Sequence, residues 1–251
     1  MAKVKIVCVI PCYKRIQISV EIIKLLQNQI LVPTVLVIGE DHEEQIATET
    51  GARFIRYPNT SLSNKWQMGI NYAKYLNPDA ILILGSDTCI TSNWISYCMD
   101  RLENGIDVIG KRDWYLCNLK PYRYPEVMHQ CYTMIREDFI GGGRMISRRL
   151  LDRMNWILYP KDRDRGLDYQ SNNMMKKFNP IYEVIESDDY KVMDVKGPWC
   201  SINTFEMLTH TKTETIHRLD FSPNPSITHW LSSNFEGILD SIKLCVPEVI
   251  L

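Results

Sequence analysis

One aspartate in this sequence stands where a carboxylate can hold a metal ion. The run Ile81-Leu82-Ile83-Leu84-Gly85-Ser86-Asp87-Thr88 reads as a buried strand that empties into a turn presenting Asp87. A carboxylate there suits Mg2+ or Mn2+, which would bridge phosphate oxygens and neutralise the charge of a departing diphosphate. The same pattern also fits a turn aspartate bonded to its own backbone. Further on, Gly141-Gly142-Gly143 precedes an amphipathic stretch, and bare backbone of that kind either approaches a ligand or forms a loop. Asp162, Asp164 and Asp168 then crowd the start of a helical segment, where the helix dipole favours a carboxylate.

The elements that would position these residues alternate. Val4 to Ile10, Val35 to Ile38, Ala52 to Tyr57 and Ala80 to Leu84 read as strands. Ile16 to Gln29, Gln45 to Thr50 and Ser63 to Tyr75 carry helical spacing between them. This order predicts an α/β fold with a mainly parallel sheet flanked by helices, and ligands in such sheets sit at the carboxyl ends of the strands. The stretches after Ile10, Ile38 and Leu84 therefore matter most. Later, Ser92 to Glu103, Ser147 to Asn155 and Asp168 to Lys177 read as helices, and Val108 to Gly110 as a strand end. Trp114 to Tyr132 is rich in aromatics with little periodicity, and the pattern beyond Trp199 is weak. One domain is expected, with a nucleotide-binding half over about 1–110 and an acceptor half over about 111–251.

Composition narrows the class. The chain has 251 residues, 45% hydrophobic and 24% charged, which is ordinary for a globular protein. A net charge of -1 offers no basic field for nucleic acid or an anionic membrane. No apolar run approaches the roughly 18 residues of a membrane span. Ile6 to Pro11 is too short for a signal peptide and runs straight into Cys12-Tyr13-Lys14-Arg15. The eight cysteines form no C-x-x-C pair, so reduced thiols and a cytoplasmic setting are expected.

Three further segments join Asp87. They are Ile10-Pro11-Cys12-Tyr13-Lys14-Arg15, Gly39-Glu40-Asp41 and Leu62-Ser63-Asn64-Lys65-Trp66-Gln67-Met68-Gly69-Ile70. In this order and spacing the set resembles the inverting nucleotide-sugar glycosyltransferases related to family two. Their fold is the GT-A, Rossmann-like one, and their fourth strand ends in Asp-x-Asp. Asp87 matches the second aspartate of that motif, with Ser86 before it, and Gly85 replaces the first. The resemblance implies a metal-dependent transferase with Mn2+ or Mg2+ at Asp87, a nucleotide-sugar donor and a carbohydrate or glycan acceptor. Pro11 fixes the chain as it leaves the sheet. Tyr13 offers a ring for a base, and Arg15 a fork for phosphate. Glu40 or Asp41 is placed to accept from base or ribose, and Asn64 and Lys65 open a helix facing a diphosphate.

The resemblance also implies that Gly142 and Gly143 contact donor sugar and acceptor. Asp168 becomes the base that takes the acceptor proton, with Asp162 and Asp164 as rivals. Related enzymes suggest a further metal ligand near the C-terminus. His210 is the first choice there, ahead of His217 and His229, because short polar residues surround it. Trp114, Tyr115, Tyr122, Tyr124 and Trp199 line a sugar pocket or pack as ordinary aromatics. Two other readings remain: a nucleotidyltransferase, whose glycine-rich loop after the first strand is missing here, and a non-catalytic binding domain, which Gly85 would favour.

Overall fold

The computed structural model describes residues 4–131, 139–159, 161–200, 204–206, 216–218 and 225–251. Four short strands start the chain: β1 (Ile6–Pro11), β2 (Thr34–Gly39), β3 (Arg53–Arg56) and β4 (Ala80–Ile83). They pair in parallel in the order β3-β2-β1-β4. The crossovers are α1 (Ile16–Gln27), α2 (Glu44–Thr50) and α3 (Leu62–Tyr75). Burial on both faces explains why β1, β4 and β2 from Val35 onward are apolar, whereas β3 at the sheet edge carries an exposed arginine at each end. Cys8, Ile10, Leu82 and Leu84 face one core cluster with α1. Val7, Val9, Ile81 and Ile83 face another with Trp66 and Ile70 of α3.

The sheet continues beyond the parallel part. It adds β9 (Arg144–Ser147) antiparallel to β4, then β6 (Val108–Gly110) and β10 (Tyr182–Val184). A second sheet runs β12-β8-β7-β11-β5. Its strands are β5 (Thr88–Ile90), β7 (Asp113–Asn118), β8 (Glu126–Cys131), β11 (Val192–Lys196) and β12 (Ile216–Arg218). Helices α4 (Trp94–Glu103), α5 (Arg148–Arg153), α6 (Leu167–Lys176), α7 (Pro225–Asn234) and α8 (Ile238–Cys245) pack around them. Both sheets share one apolar cluster, which joins Cys8 and Leu82 to Cys117, Val195, Leu231 and Ile242.

The expected α/β class and parallel order hold. Two local expectations do not. Within the stretch expected to lack pattern, Asp113–Asn118 pairs with Glu126–Cys131 as the β7–β8 hairpin, and Tyr132 lies outside the described residues. β7 is buried on both faces from Trp114 to Asn118, so no polar alternation marks it as a strand. The glycine triplet leads into β9 rather than a helix. Ser147, expected to begin that helix, accepts a hydrogen bond from Leu150 N at 3.2 Å and caps α5.

Gly69 sets how closely α3 lies on the sheet. A Cβ there would fall 2.5 Å from Val9 Cγ1 and 2.7 Å from Ile38 Cδ1. Gly69→Val should therefore cost about 1–3 kcal/mol through overpacking. Urea unfolding checks this, and an unchanged midpoint would contradict the tight contact.

Candidate active site at the carboxyl ends of β1 and β4

The residues that leave β4 cross from one sheet to the other. Leu84 to Asp87 form a turn closed by Thr88 N donating to Gly85 O at 3.2 Å, and β5 begins at Thr88. Asp87 is thereby fixed between the sheets, its carbonyl accepting from Val195 N of β11 at 2.7 Å. Its carboxylate meets two cations. Arg15 Nη1 lies 2.7 Å and Lys196 Nζ 2.8 Å from the same oxygen, Oδ2. Lys196 also lies 3.2 Å from Asp194, and Asp194 accepts from Thr88 Oγ1 at 2.6 Å. Four charges of alternating sign thus meet where β1, β4 and β11 end, Asp87 and Lys196 buried, Arg15 and Asp194 partly exposed.

A second set of contacts shapes the loop after β1. Pro11, the buried last residue of β1, pairs with Ile38. Lys14 has a positive φ of 54° and donates its backbone N–H to Glu43 Oε1 at 2.8 Å. Glu43 is fully buried and also accepts from Glu40 N at 2.7 Å and pairs with His42 at 2.6 Å. Gly39 is the close approach that admits it, since a Cβ there would sit 2.7 Å from Glu43 Cβ. Lys65, also buried, reaches from α3 to Cys12 O at 2.7 Å and Asn59 Oδ1 at 3.0 Å. Burial pulls its pKa below the ordinary value, although Glu43 works against that. The Tyr13 ring lies 5.0 Å from the Lys14 ammonium and 5.8 Å from that of Lys65.

The glycine segment joins Asp168 to this cluster. A Cβ on Gly141 would lie 2.2 Å from Asp168 Oδ1, so the carboxylate rests directly on that backbone. On Gly142 it would meet Thr88 Cγ2 at 3.1 Å. Two consecutive residues therefore touch Asp168 and the neighbour of Asp87. Gly143 has a different task. Its φ is +79°, its Cα faces Trp94 and Val192, and its carbonyl accepts from Trp94 Nε1 at 2.9 Å. It is held by the core and not presented to a ligand. Arg144 follows, fully buried, donating to Ser171 Oγ at 2.7 Å and to Phe139 O and Ile140 O at 3.2 Å.

No family model and no curated protein matches this chain. Solved structures do. TarS from S. aureus superposes with a TM-score of 0.56 at 12% identity, over 76% of this chain and 36% of TarS. The chain thus spans little more than a third of TarS. Glucosyl-3-phosphoglycerate synthase from Mycobacterium tuberculosis, solved with phosphoglyceric acid, gives a TM-score of 0.44 at 14% identity, over 73% of this chain and 70% of that one. A cytidylyltransferase from Leptospira borgpetersenii serovar Hardjo-bovis gives 0.44 at 18%, over 75% and 79%.

The fold is GT-A-like.

Within a GT-A-like fold, the expected site residues separate into those that converge and those that do not. Pro11, Tyr13, Arg15, Ser86, Asp87 and Gly142 gather at the strand ends, with Asp168 one glycine away. Asn64 does not join them, because its amide donates to Asp162 Oδ1 at 2.8 Å. Asp164 accepts from Leu62 N at 2.8 Å, and Ser63 N donates to Arg163 O at 2.8 Å. The start of α3 is thus capped by the 162–164 loop rather than turned to a diphosphate. These contacts also engage both rivals of Asp168. Asp41 is exposed and pairs with Arg56 at 2.7 Å, while Glu40 Oε1 accepts from Asn59 N at 3.1 Å. His210 lies outside the described residues, and His229 is exposed on α7.

A GT-A-like fold implies a divalent ion at Asp87, and these residues do not fit one there. Oδ2 already carries two cations, and Gly85 supplies no second carboxylate. Space explains the glycine: a Cβ at position 85 would lie 2.6 Å from Thr88 Oγ1, which is bonded to Asp194. Glu40, His42 and Glu43 bring potential ligand atoms within 4.8 Å of one another. The Glu43 oxygens there are committed to the Lys14 and Glu40 N–H groups.

Lys196, Asp194 and Glu43 escaped the sequence reading. Asp194 and Lys196 lie two apart in Val192-Met193-Asp194-Val195-Lys196, a spacing that puts both on one side of a strand. Glu40 and Glu43 have capping-box spacing, and the structure forms that box.

Burial pushes the Asp87 carboxyl up, but Lys196 and Arg15 outweigh it and hold the group below its ordinary 3.8. With the folded value depressed, the ionised carboxylate contributes stability above pH 3.8, and that contribution is lost as pH falls through the lower folded value. Asp87→Asn leaves Lys196, buried, and Arg15, partly exposed, without their shared partner. It should cost about 3–5 kcal/mol at neutral pH. It should also remove part of the acid-side loss seen in urea titrations of the parent below pH 3.8. A parent-like stability and an unchanged acid limb would contradict the buried ion pairs.

Proposed function

We propose that this chain transfers a sugar from a nucleotide-diphosphate sugar to an acceptor hydroxyl, with inversion at the anomeric carbon. One observation carries the reading: the Asp168 carboxylate rests on Gly141, beside the Asp87 cluster at the carboxyl ends of β1 and β4. Ligands of open α/β sheets occupy that edge. The GT-A-like fold supports the same placement.

In this reading Tyr13 lies under the base and Arg15 faces the phosphates. Gly141 and Gly142, lacking side chains, let Asp168 and Thr88 pack close to the loop that would line the sugar. Asp168 takes the proton from the acceptor hydroxyl as its oxygen bonds to the anomeric carbon. The bond from that carbon to the phosphate oxygen breaks, and the nucleoside diphosphate departs with the electron pair. Asp168 suits the part of base better than Asp162 or Asp164 because it rests on Gly141 at the strand-end cluster, whereas they lie at the start of α3. The acceptor is a carbohydrate or glycan. No step is assigned to a metal ion, since Asp87 is committed to Arg15 and Lys196.

Asp168→Asn preserves shape and helix-start bonding but cannot accept a proton. Transfer should fall by ~10²-fold or more, with donor affinity nearly unchanged. Steady-state kinetics with a nucleotide-sugar that thermal shift identifies as a ligand make the comparison. A variant that transfers within a few-fold of the parent would remove Asp168 from the mechanism.

A further inference from the structure

The carboxylate that a metal would need is held by side-chain cations, and those cations differ in depth. Lys196 has 4% of its side chain exposed and bridges Asp87 to Asp194. Burial lowers its pKa, but Asp194 and Asp87 together lift it above the ordinary lysine value. It is therefore a permanent cation at neutral pH. Arg15 has 15% of its side chain exposed and stands where the loop from β1 turns into α1. Both reach the same oxygen of Asp87.

We infer that this site binds a nucleoside diphosphate without a divalent ion: Arg15 meets the diphosphate, and Lys196 stays behind as the positioning cation that keeps Asp87 neutralised. The inference rests on the functional reading above and deepens it. Its physical basis is the shared oxygen. A buried carboxylate stripped of its only cation is costly. Asp87 has two, so Arg15 can swing toward a phosphate while Lys196 still satisfies Asp87. A divalent ion at Asp87 would instead sit against both cations in a poorly solvated place, where like charges repel strongly. The space that a second carboxylate would use at position 85 belongs to Thr88 and its bond to Asp194. The arginine fork suits two phosphate oxygens at once.

Calorimetry on the whole chain tests this with UDP, GDP, CDP and ADP, each in EDTA and each in Mn2+. At least one should bind in EDTA, with Mn2+ changing its affinity by less than about threefold, or roughly 0.7 kcal/mol. Lys196→Met leaves Arg15 as the one cation on Asp87 among the described residues. It should weaken the diphosphate by ~10-fold or more, about 1.4 kcal/mol, and leave the matching nucleoside unchanged. Lys196→Arg should restore binding. A purely structural lysine would weaken nucleoside and diphosphate alike, and that result overturns the inference. So does binding that requires Mn2+, which would leave the nucleotide reading intact. Absence of binding in both conditions overturns the nucleotide reading and the inference with it. If Lys196→Met does not fold, the comparison of EDTA with Mn2+ decides alone.

Discussion

A buried carboxylate between two cations, one buried and one partly exposed, ties three strand ends of this molecule together. Asp87 lies in the turn that carries the chain from one sheet to the other. Its partners come from the loop after β1 and from the last residue of β11. Removing Asp87 leaves both cations without their shared partner, which proteins tolerate poorly, whereas either cation alone still neutralises Asp87. The ion pairs therefore fix three strand ends relative to one another. Thr88 and Asp194 extend the network and account for the glycine at position 85.

Around that centre, close backbone approaches do the remaining positioning. Gly39 admits Glu43, which in turn pins the N–H groups of Lys14 and Glu40. Gly141 receives the Asp168 carboxylate, and Gly142 meets Thr88. The loop at 162–164 caps α3 and draws that helix toward α6, which Asp168 begins to wind. Lys65, reaching Cys12 O, ties the start of α3 to the loop after β1. Backbone and side-chain constraints thus converge on one edge of the parallel sheet, where open α/β folds place their ligands.

The parallel part of the fold was legible because its strands are buried on both faces and separated by helical spacing, as in Ile6 to Pro11 and Ala80 to Ile83. The second sheet was not. β7 has the same double burial but lacks flanking helices, and Asp194 and Lys196 in β11 look like surface charge until Asp87 is seen to face them. Asp87, Arg15 and Asp168 were singled out by type and place, and the structure pairs Arg15 with Asp87 and sets Asp168 against Gly141. The second partner of Asp87 was not, because Lys196 is 109 residues away in the chain. Asn64 was misplaced for a similar reason: its partner, Asp162, is 98 residues distant, and no local pattern announces that clamp.

A crystal structure with a bound nucleoside diphosphate is the most direct test. The base should lie beside Tyr13, the phosphates should meet Arg15, and Lys196 should remain on Asp87. A nucleotide bound elsewhere, or a metal ion on Asp87 with both cations turned away, would contradict this account.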